Sequence, residues 1–146
     1  MVEPPRGTYE SVIHATPEQV WRALIDPDQT QEYYFGTRVE SDWNQGSSIV
    51  YRNPSGGVDA DGEILDASPS RRLETTFRPA WSPDVGGGEP ATVRWEIQPV
   101  DDGVKVTLVH SGFDFSGPGG DQVHQGWLQI LAGLKTLLEG KPPATG

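Results

Sequence analysis

The sequence predicts an α+β fold in which a seven-stranded antiparallel sheet is covered by one long C-terminal helix. Through most of residues 36–111 apolar and polar residues alternate, as in strands that bury one face. Nearer the C-terminus the apolar residues recur at helical spacing instead. Short turns rich in Gly, Pro and Asn separate the alternating runs, which favours antiparallel hairpins. Because such a sheet has one apolar face, the long helix is its expected cover.

A first strand is predicted at Thr8–Ala15, with a helix directly after it. Thr16 is a typical N-cap residue, Pro17 suits the first helical position, and Gln19 completes a capping box. Apolar residues then follow at helical spacing as far as Ile25, which predicts one buried stripe.

A second short helix is predicted where the cap-then-proline pattern recurs at Asp26-Pro27. It ends at Tyr33–Gly36, where Gly36 can adopt the left-handed conformation common after a helix. Six more strands are predicted in the alternating region, at Thr37–Trp43, Ser47–Asn53, Val58–Ala67, Arg71–Phe77, Thr92–Pro99 and Val104–Ser111.

The longest predicted link is Arg78–Ala91, and a loop of about 14 residues is more often functional than a hairpin turn is. It carries Trp81, either as a lid or partner contact or as a simple loop anchor. The last helix is predicted to begin at Asp121 and to end at Gly140. Its apolar stripe is Val123, Trp127, Ile130, Leu131, Leu134, Leu137 and Leu138. One domain is expected over residues 1–146, with a core at about 8–139 and loose tails at 1–6 and 141–146.

The composition excludes several classes of protein. With 11 basic and 21 acidic residues among 146, the formal charge is −10, which argues against nucleic acid as a partner. The absence of cysteine excludes disulfides, zinc–thiolate sites and thiol nucleophiles. No signal peptide is visible, and no run reaches the ~18 apolar residues of a membrane span. A cytoplasmic protein without membrane insertion is therefore expected.

Four segments resemble, in order, motifs of the START-like SRPBCC superfamily, and more narrowly the branch related to the C-terminal domain of the activator of heat-shock protein 90 ATPase. Together they cover roughly residues 8–139. The segments are Ala15–Pro27 (ATPEQVWRALIDP), Gly62–Leu73 (GEILDASPSRRL), Lys105–Phe113 (KVTLVHSGF) and Gly126–Lys135, with its Gly-Trp pair, leucines and lysine. The resemblance implies the helix-grip fold, as in START and Bet v 1-like proteins, and a family that includes lipid and hormone binders, aromatase/cyclases and co-chaperone domains.

We expect a ligand cavity between the sheet and the C-terminal helix, because ligand pockets are typically apolar and aromatic with a few polar anchors. Many relatives end the second short helix with a Trp-containing pair, where this chain has Tyr33-Tyr34-Phe35. The alternative for most of the aromatic residues is core packing. The candidate lining residues are Tyr33, Phe35, Trp43, Tyr51, Phe77, Trp81, Trp95, His110, Phe113, Trp127 and Leu131.

His110 is the candidate polar anchor or general acid–base. It shares an apolar strand face with Val104, Val106 and Leu108, so it is expected to point inward. A purely structural histidine is the alternative. Ser111 points to the opposite face, so a serine–histidine pair is not expected.

No metal or cofactor is predicted. Asp59, Asp61 and Glu63 share one strand face and could hold Ca²⁺ or Mg²⁺, but a solvated outer face is the favoured interpretation. The three histidines, His14, His110 and His124, show no metal-binding spacing.

Three functions remain, in order of preference. The first is binding of a small hydrophobic or lipid-like molecule in the cavity. The second, by analogy with the family, is a co-chaperone-like protein-interaction domain that stimulates a heat-shock protein 90 ATPase. The third is a cyclase- or hydratase-type enzyme acting on a polyketide-like or aromatic substrate. A role without catalysis is favoured, and the protein is expected to be a monomer or homodimer.

Overall fold

The predicted fold class and element order are confirmed in a computed structural model, which describes residues 7–79, 91–111 and 120–139. All seven strands pair antiparallel in one sheet with the order β1-β7-β6-β5-β4-β3-β2. The elements are β1 (Thr8–Ile13), α1 (Pro17–Ile25), α2 (Pro27–Tyr33), β2 (Arg38–Ser41), β3 (Ser48–Arg52), β4 (Val58–Ser68), β5 (Arg72–Pro79), β6 (Ala91–Val100), β7 (Gly103–Ser111) and α3 (Gly120–Glu139).

The element ends differ from the predicted ones by a few residues at most. β1 ends at Ile13 rather than Ala15, because the Ala15 N–H turns back to the Ile13 carbonyl (2.9 Å). α3 begins at Gly120, so Asp121 lies inside its first turn, where a carboxylate still complements the helix dipole. The predicted stop at Gly140 lies outside the described residues.

Both predicted helix starts are confirmed in atomic detail. The Thr16 hydroxyl accepts from Gln19 N (3.1 Å), and the Gln19 side chain accepts in return from Thr16 N (2.9 Å). The Asp26 carboxylate accepts from Asp28 N (2.9 Å) at the start of α2. Each cap satisfies backbone donors that a helix end leaves without an intrahelical partner.

The chain turns sharply after α2. Phe35 and Gly36 both have positive φ angles, 54° and 74°. The Thr30 hydroxyl fixes the turn from inside, donating to the Thr37 carbonyl (2.9 Å) and accepting from Val39 N (3.2 Å). This turn places the segment after α2 beside α3.

A β-bulge interrupts the pairing of β3 with β4. Tyr51 lies opposite Ala60 and Arg52 opposite Val58, which leaves Asp59 as an extra residue. A bulge of this kind re-aims the side chains next to it. The strict inside–outside alternation predicted for β4 therefore fails at Asp59.

The core lies between the sheet and the helices. The inward face of β7 is buried as predicted, with Val104, Val106 and Leu108 fully buried and His110 4% exposed. α3 is tied to β1 along its length: the Tyr9 hydroxyl contacts His124 Nδ1 (2.9 Å), and Lys135 Nζ donates to the Val12 carbonyl (2.7 Å). No helix in the part of the chain that the structure describes is long and apolar enough to cross a bilayer.

Candidate ligand cavity

A cavity of about 400 Å³ lies between α3 and strands β3–β5, beside the turn that follows α2. Five aromatic side chains line it: Tyr34, Phe35, Tyr51, Phe77 and Trp127. The remaining described lining residues are Thr37, Asp59, Ala60, Gln122, Val123, Gln125, Gly126, Gln129 and Ile130.

Trp127 is the central residue of the aromatic wall. It is 2% exposed, and its ring packs against those of Tyr34, Phe77 and Trp95 at centroid distances of 6.2, 5.4 and 6.5 Å. Its indole Nε1 donates to His110 Nδ1 (2.9 Å). The hydrogen bond fixes the ring that separates the cavity from the core behind it.

His110 is neutral in this arrangement. An indole N–H only donates, so Nδ1 of His110 must carry the lone pair and Nε2 the proton. Burial disfavours the charged imidazolium and lowers the pKa of His110 from 6.5 to about 4. His110 lies behind Trp127, outside the residues that line the cavity.

Two tyrosines form a stacked pair in the wall. The rings of Tyr34 and Tyr51 lie 4.3 Å apart between centroids and 14° from parallel. Burial raises the pKa of both phenols well above 10, and for Tyr34 the neighbouring Tyr51 adds to the effect. Both hydroxyls therefore stay protonated at neutral pH, and the rings remain neutral aromatic faces.

Phe35 is an exposed aromatic residue held in an uncommon backbone conformation. Its side chain is 55% exposed although it borders the cavity, and its φ of 54° is unusual for a bulky residue. Its ring lies over Gly126 of α3, 3.6 Å from where a β-carbon at that glycine would stand. Strained residues of this kind cluster at functional sites.

The polar part of the lining has a distinctive composition. Gln122, Gln125 and Gln129 of α3 are exposed, and their spacing brings them to one face of the helix. Asp59 contributes the one carboxylate of the described lining, and its Oδ1 accepts from Asn53 Nδ2 (2.8 Å). Within the described residues the lining contains no lysine or arginine.

The sequence-predicted lining residues fall into three groups. Four of them border the cavity: Phe35, Tyr51, Phe77 and Trp127. Two lie outside the described residues: Trp81 and Phe113. The other five are placed away from the lining: Tyr33, Trp43, Trp95, His110 and Leu131.

Specific contacts account for several residues of the last group. The Tyr33 hydroxyl donates to the Ala23 carbonyl (2.8 Å), so this tyrosine joins α2 to α1. Trp95 packs behind Trp127 from β6. The role of any of these residues in ligand contact stays a prediction.

Sequence reasoning did not place several lining residues at the cavity, above all Asp59 and the three glutamines. The spacing of the glutamines, three and four residues apart, indicates that they share one face of the last helix. Asp59 carried no such signal, because the bulge that brings it to the cavity is not visible in the alternation of β4. Asp61 and Glu63 remain exposed, and no group of three metal-binding side chains occurs in the described ranges.

Comparison with known proteins identifies the family. The family model of Activator of Hsp90 ATPase homolog 1-like proteins matches residues 14–139. A search of curated proteins finds no match.

Solved structures share the fold across nearly the whole chain. A Cytophaga hutchinsonii protein is 29% identical with a TM-score of 0.71, over 95% of this chain and 97% of that one. The Aha1 dimer of Colwellia psychrerythraea is 20% identical with a TM-score of 0.74, over 90% and 94%. CalU16 of Micromonospora echinospora is 21% identical with a TM-score of 0.73, over 92% and 74%. With the family model covering most of its length, the chain belongs to the Activator of Hsp90 ATPase homolog 1-like family of the START-like SRPBCC superfamily.

Proposed function

We propose that the protein binds a small hydrophobic or lipid-like molecule in the cavity between the sheet and α3. The observation that carries the proposal is a cavity of about 400 Å³ with five aromatic side chains in its wall. Ligand pockets typically measure roughly 300–1,000 Å³ and are mostly apolar, with a few polar groups that orient the ligand. Asp59, Thr37 and the glutamines of α3 supply such groups here.

The size of the cavity argues against a simple packing defect. Protein interiors are close-packed and keep few voids larger than one water molecule, whose share of liquid volume is about 30 Å³. A space of about 400 Å³ is more than ten times larger. Filling it with apolar surface of a ligand removes aromatic wall from water, which is favourable.

The geometry favours binding over catalysis. His110 lies behind Trp127, and its pKa of about 4 makes it a weak base at neutral pH. The pKa of the two wall phenols is raised, which makes them weak acids. Efficient proton transfer requires a pKa near the working pH and a group within reach of the substrate. The cyclase or hydratase alternative therefore has less support.

A neutral apolar fluorophore, N-phenyl-naphthylamine, tests the proposal. The chain should bind it saturably with one-to-one stoichiometry, and native mass spectrometry should report any ligand retained from the cell. Gly126→Leu should abolish binding, because its side chain is added at the cavity wall beside Phe35. The matched control is Ala132→Leu, which adds a leucine at an exposed position of the same helix. Non-saturable binding, or equal affinity in both variants, would contradict the proposal.

The family match carries a second candidate, stimulation of a heat-shock protein 90 ATPase. This candidate predicts that the purified chain raises the ATP turnover of a purified chaperone. The Colwellia relative is a dimer, and the same native mass spectra report whether this chain is a monomer or a homodimer. Unchanged turnover at saturating concentrations would remove this candidate.

A further inference from the structure

We propose that the cavity preferentially binds ligands that carry an aromatic group and a protonated amine, and that Asp59 binds the amine. This inference rests on the proposed function, since it names the ligand class of the same cavity. Four observations support it: the position of Asp59, the way its carboxylate is held, the aromatic wall, and the charges of the lining.

The β-bulge gives Asp59 its position. In a regular strand, consecutive side chains point to opposite faces, so Asp59 and Ala60 would not border the same space. Both line the cavity, because the bulge between the Tyr51 and Arg52 pairings breaks the alternation. Bulges are common next to functional sites, where they re-aim a side chain.

A fixed amide holds the carboxylate. The Asn53 side-chain oxygen accepts from Ser55 N (3.0 Å) and Gly57 N (3.1 Å), so its NH₂ group is directed to Asp59 Oδ1 (2.8 Å). That donor is neutral. Among the residues that the structure describes, no lysine, arginine or histidine forms an ion pair with Asp59. An oriented, half-buried carboxylate that forms no ion pair with the described residues is suited to bind a cationic group.

The aromatic side chains of the lining also favour a positively charged ligand group. Tyr34, Tyr51 and Trp127 line the cavity, and a cation over the face of an aromatic ring, within about 6 Å of its centroid, is attracted by the ring quadrupole. Burial raises the pKa of both tyrosines, so their rings stay neutral rather than anionic. The glutamines at the cavity edge can bind neutral polar groups of the ligand.

Anionic ligands meet the opposite environment. A carboxylate or phosphate in the cavity would face Asp59 and would find no lysine or arginine among the described lining residues. The net charge of −10 repels anions at longer range as well. Among lipid-like molecules, we therefore expect uncharged or cationic ones to bind better than free fatty acids or phospholipids.

Three probes that share a naphthyl group and differ in charge test the proposal: naphthylethylamine, naphthylethanol and naphthylacetic acid. Each is titrated calorimetrically at neutral pH and low salt. The affinity for the amine should be at least about tenfold higher than that for the acid, and the affinity for the alcohol should lie between them. Added salt should reduce the difference between the amine and acid affinities. Asp59→Asn should bring the ratio of the amine and acid affinities close to one. This variant keeps an oxygen that can accept from Asn53. Glu63→Gln, the same charge change at an exposed position of β4, should leave the affinities for all three probes unchanged.

The outcomes distinguish this inference from the function on which it rests. If neither the alcohol nor N-phenyl-naphthylamine binds, the proposed function fails. If the alcohol binds but the acid binds as tightly as the amine, only the charge selectivity fails. Titrating the three probes into the unmodified protein separates these two outcomes even where a variant does not fold.

Discussion

The two ends of α3 meet the rest of the protein in different ways. Towards its C-terminus the helix packs directly on α2, where Gly133 lies against Tyr33 and Leu134 is fully buried. Towards its N-terminus the inward face, including Gly126 and Ile130, borders the cavity. Trp127 belongs to this cavity end, and its indole N–H is bound to His110.

The same apolar stripe of α3 is thus packed against other elements at one end and borders the cavity at the other. Its spacing is the same at both ends, so the difference comes from what lies opposite. At the packed end, Gly133 lies directly against Tyr33 at the end of α2. At the cavity end, aromatic rings from β3, β5 and the turn after α2 contact the helix at Trp127 and Gly126 and line the cavity beside it. We infer that the packed end supplies most of the stability and leaves the other end available for a ligand.

The largest expected effect of this difference is on core truncation. Leu134→Ala removes a fully buried side chain from the packed end, and it should lower the free energy of unfolding by about 2–5 kcal/mol. Ile130→Ala should cost less, because that side chain already borders empty space and its removal breaks fewer contacts. Urea unfolding of both variants measures the difference. Equal losses would show that the cavity end is packed as firmly as the other.

The buried His110, which lies behind Trp127 at the cavity end, should make the stability of the protein depend on pH. Its pKa is about 4 when folded and 6.5 without burial, so between these values the unfolded chain binds a proton that the folded chain does not. The free energy of unfolding should therefore fall as the pH drops from 6.5 to 4, by about 3 kcal/mol. Below pH 4 His110 is protonated in both the folded and the unfolded chain, so it no longer makes the free energy of unfolding depend on pH.

The matched control for this pH effect is His110→Asn. Asparagine has an oxygen that can accept from the Trp127 indole, but it does not titrate. Unfolding measured between pH 4 and 6.5 should show a shallower decline in this variant than in the unmodified protein. Parallel pH profiles would mean that other groups cause the decline.

The sequence predicted the fold better than the cavity, and the reasons are physical. Local signals such as the Thr16 capping box and the alternation of β7 determine elements, and their order leaves few arrangements for one sheet and one long helix. The lining depends on register and on neighbours distant in the chain. The bulge at Asp59 and the stacking of Tyr34 on Tyr51 appear only once β3 and β4 are paired and α2 is docked. For the same reason Tyr33, an expected wall residue, is used to join two helices.

The smallest predicted effect compares two glycines of the same helix. Replacing a helical glycine by alanine gains about 0.5–1 kcal/mol where there is room for a methyl group. At Gly126 the new β-carbon would lie 3.6 Å from the Phe35 ring, an ordinary contact with an exposed side chain. At Gly133 it would lie 3.0 Å from the Tyr33 β-carbon and 3.4 Å from its α-carbon, so α2 and α3 would have to move apart.

Gly126→Ala should therefore stabilise the protein by about 0.5–1 kcal/mol. In Gly133→Ala, crowding typically costs about 1–3 kcal/mol, which should cancel or exceed the helical gain. Thermal unfolding of the two variants should shift in opposite directions, or upward only for Gly126→Ala. A stabilised Gly133→Ala variant would mean that α2 and α3 separate easily, and the packed end could then no longer be treated as the rigid part of the molecule.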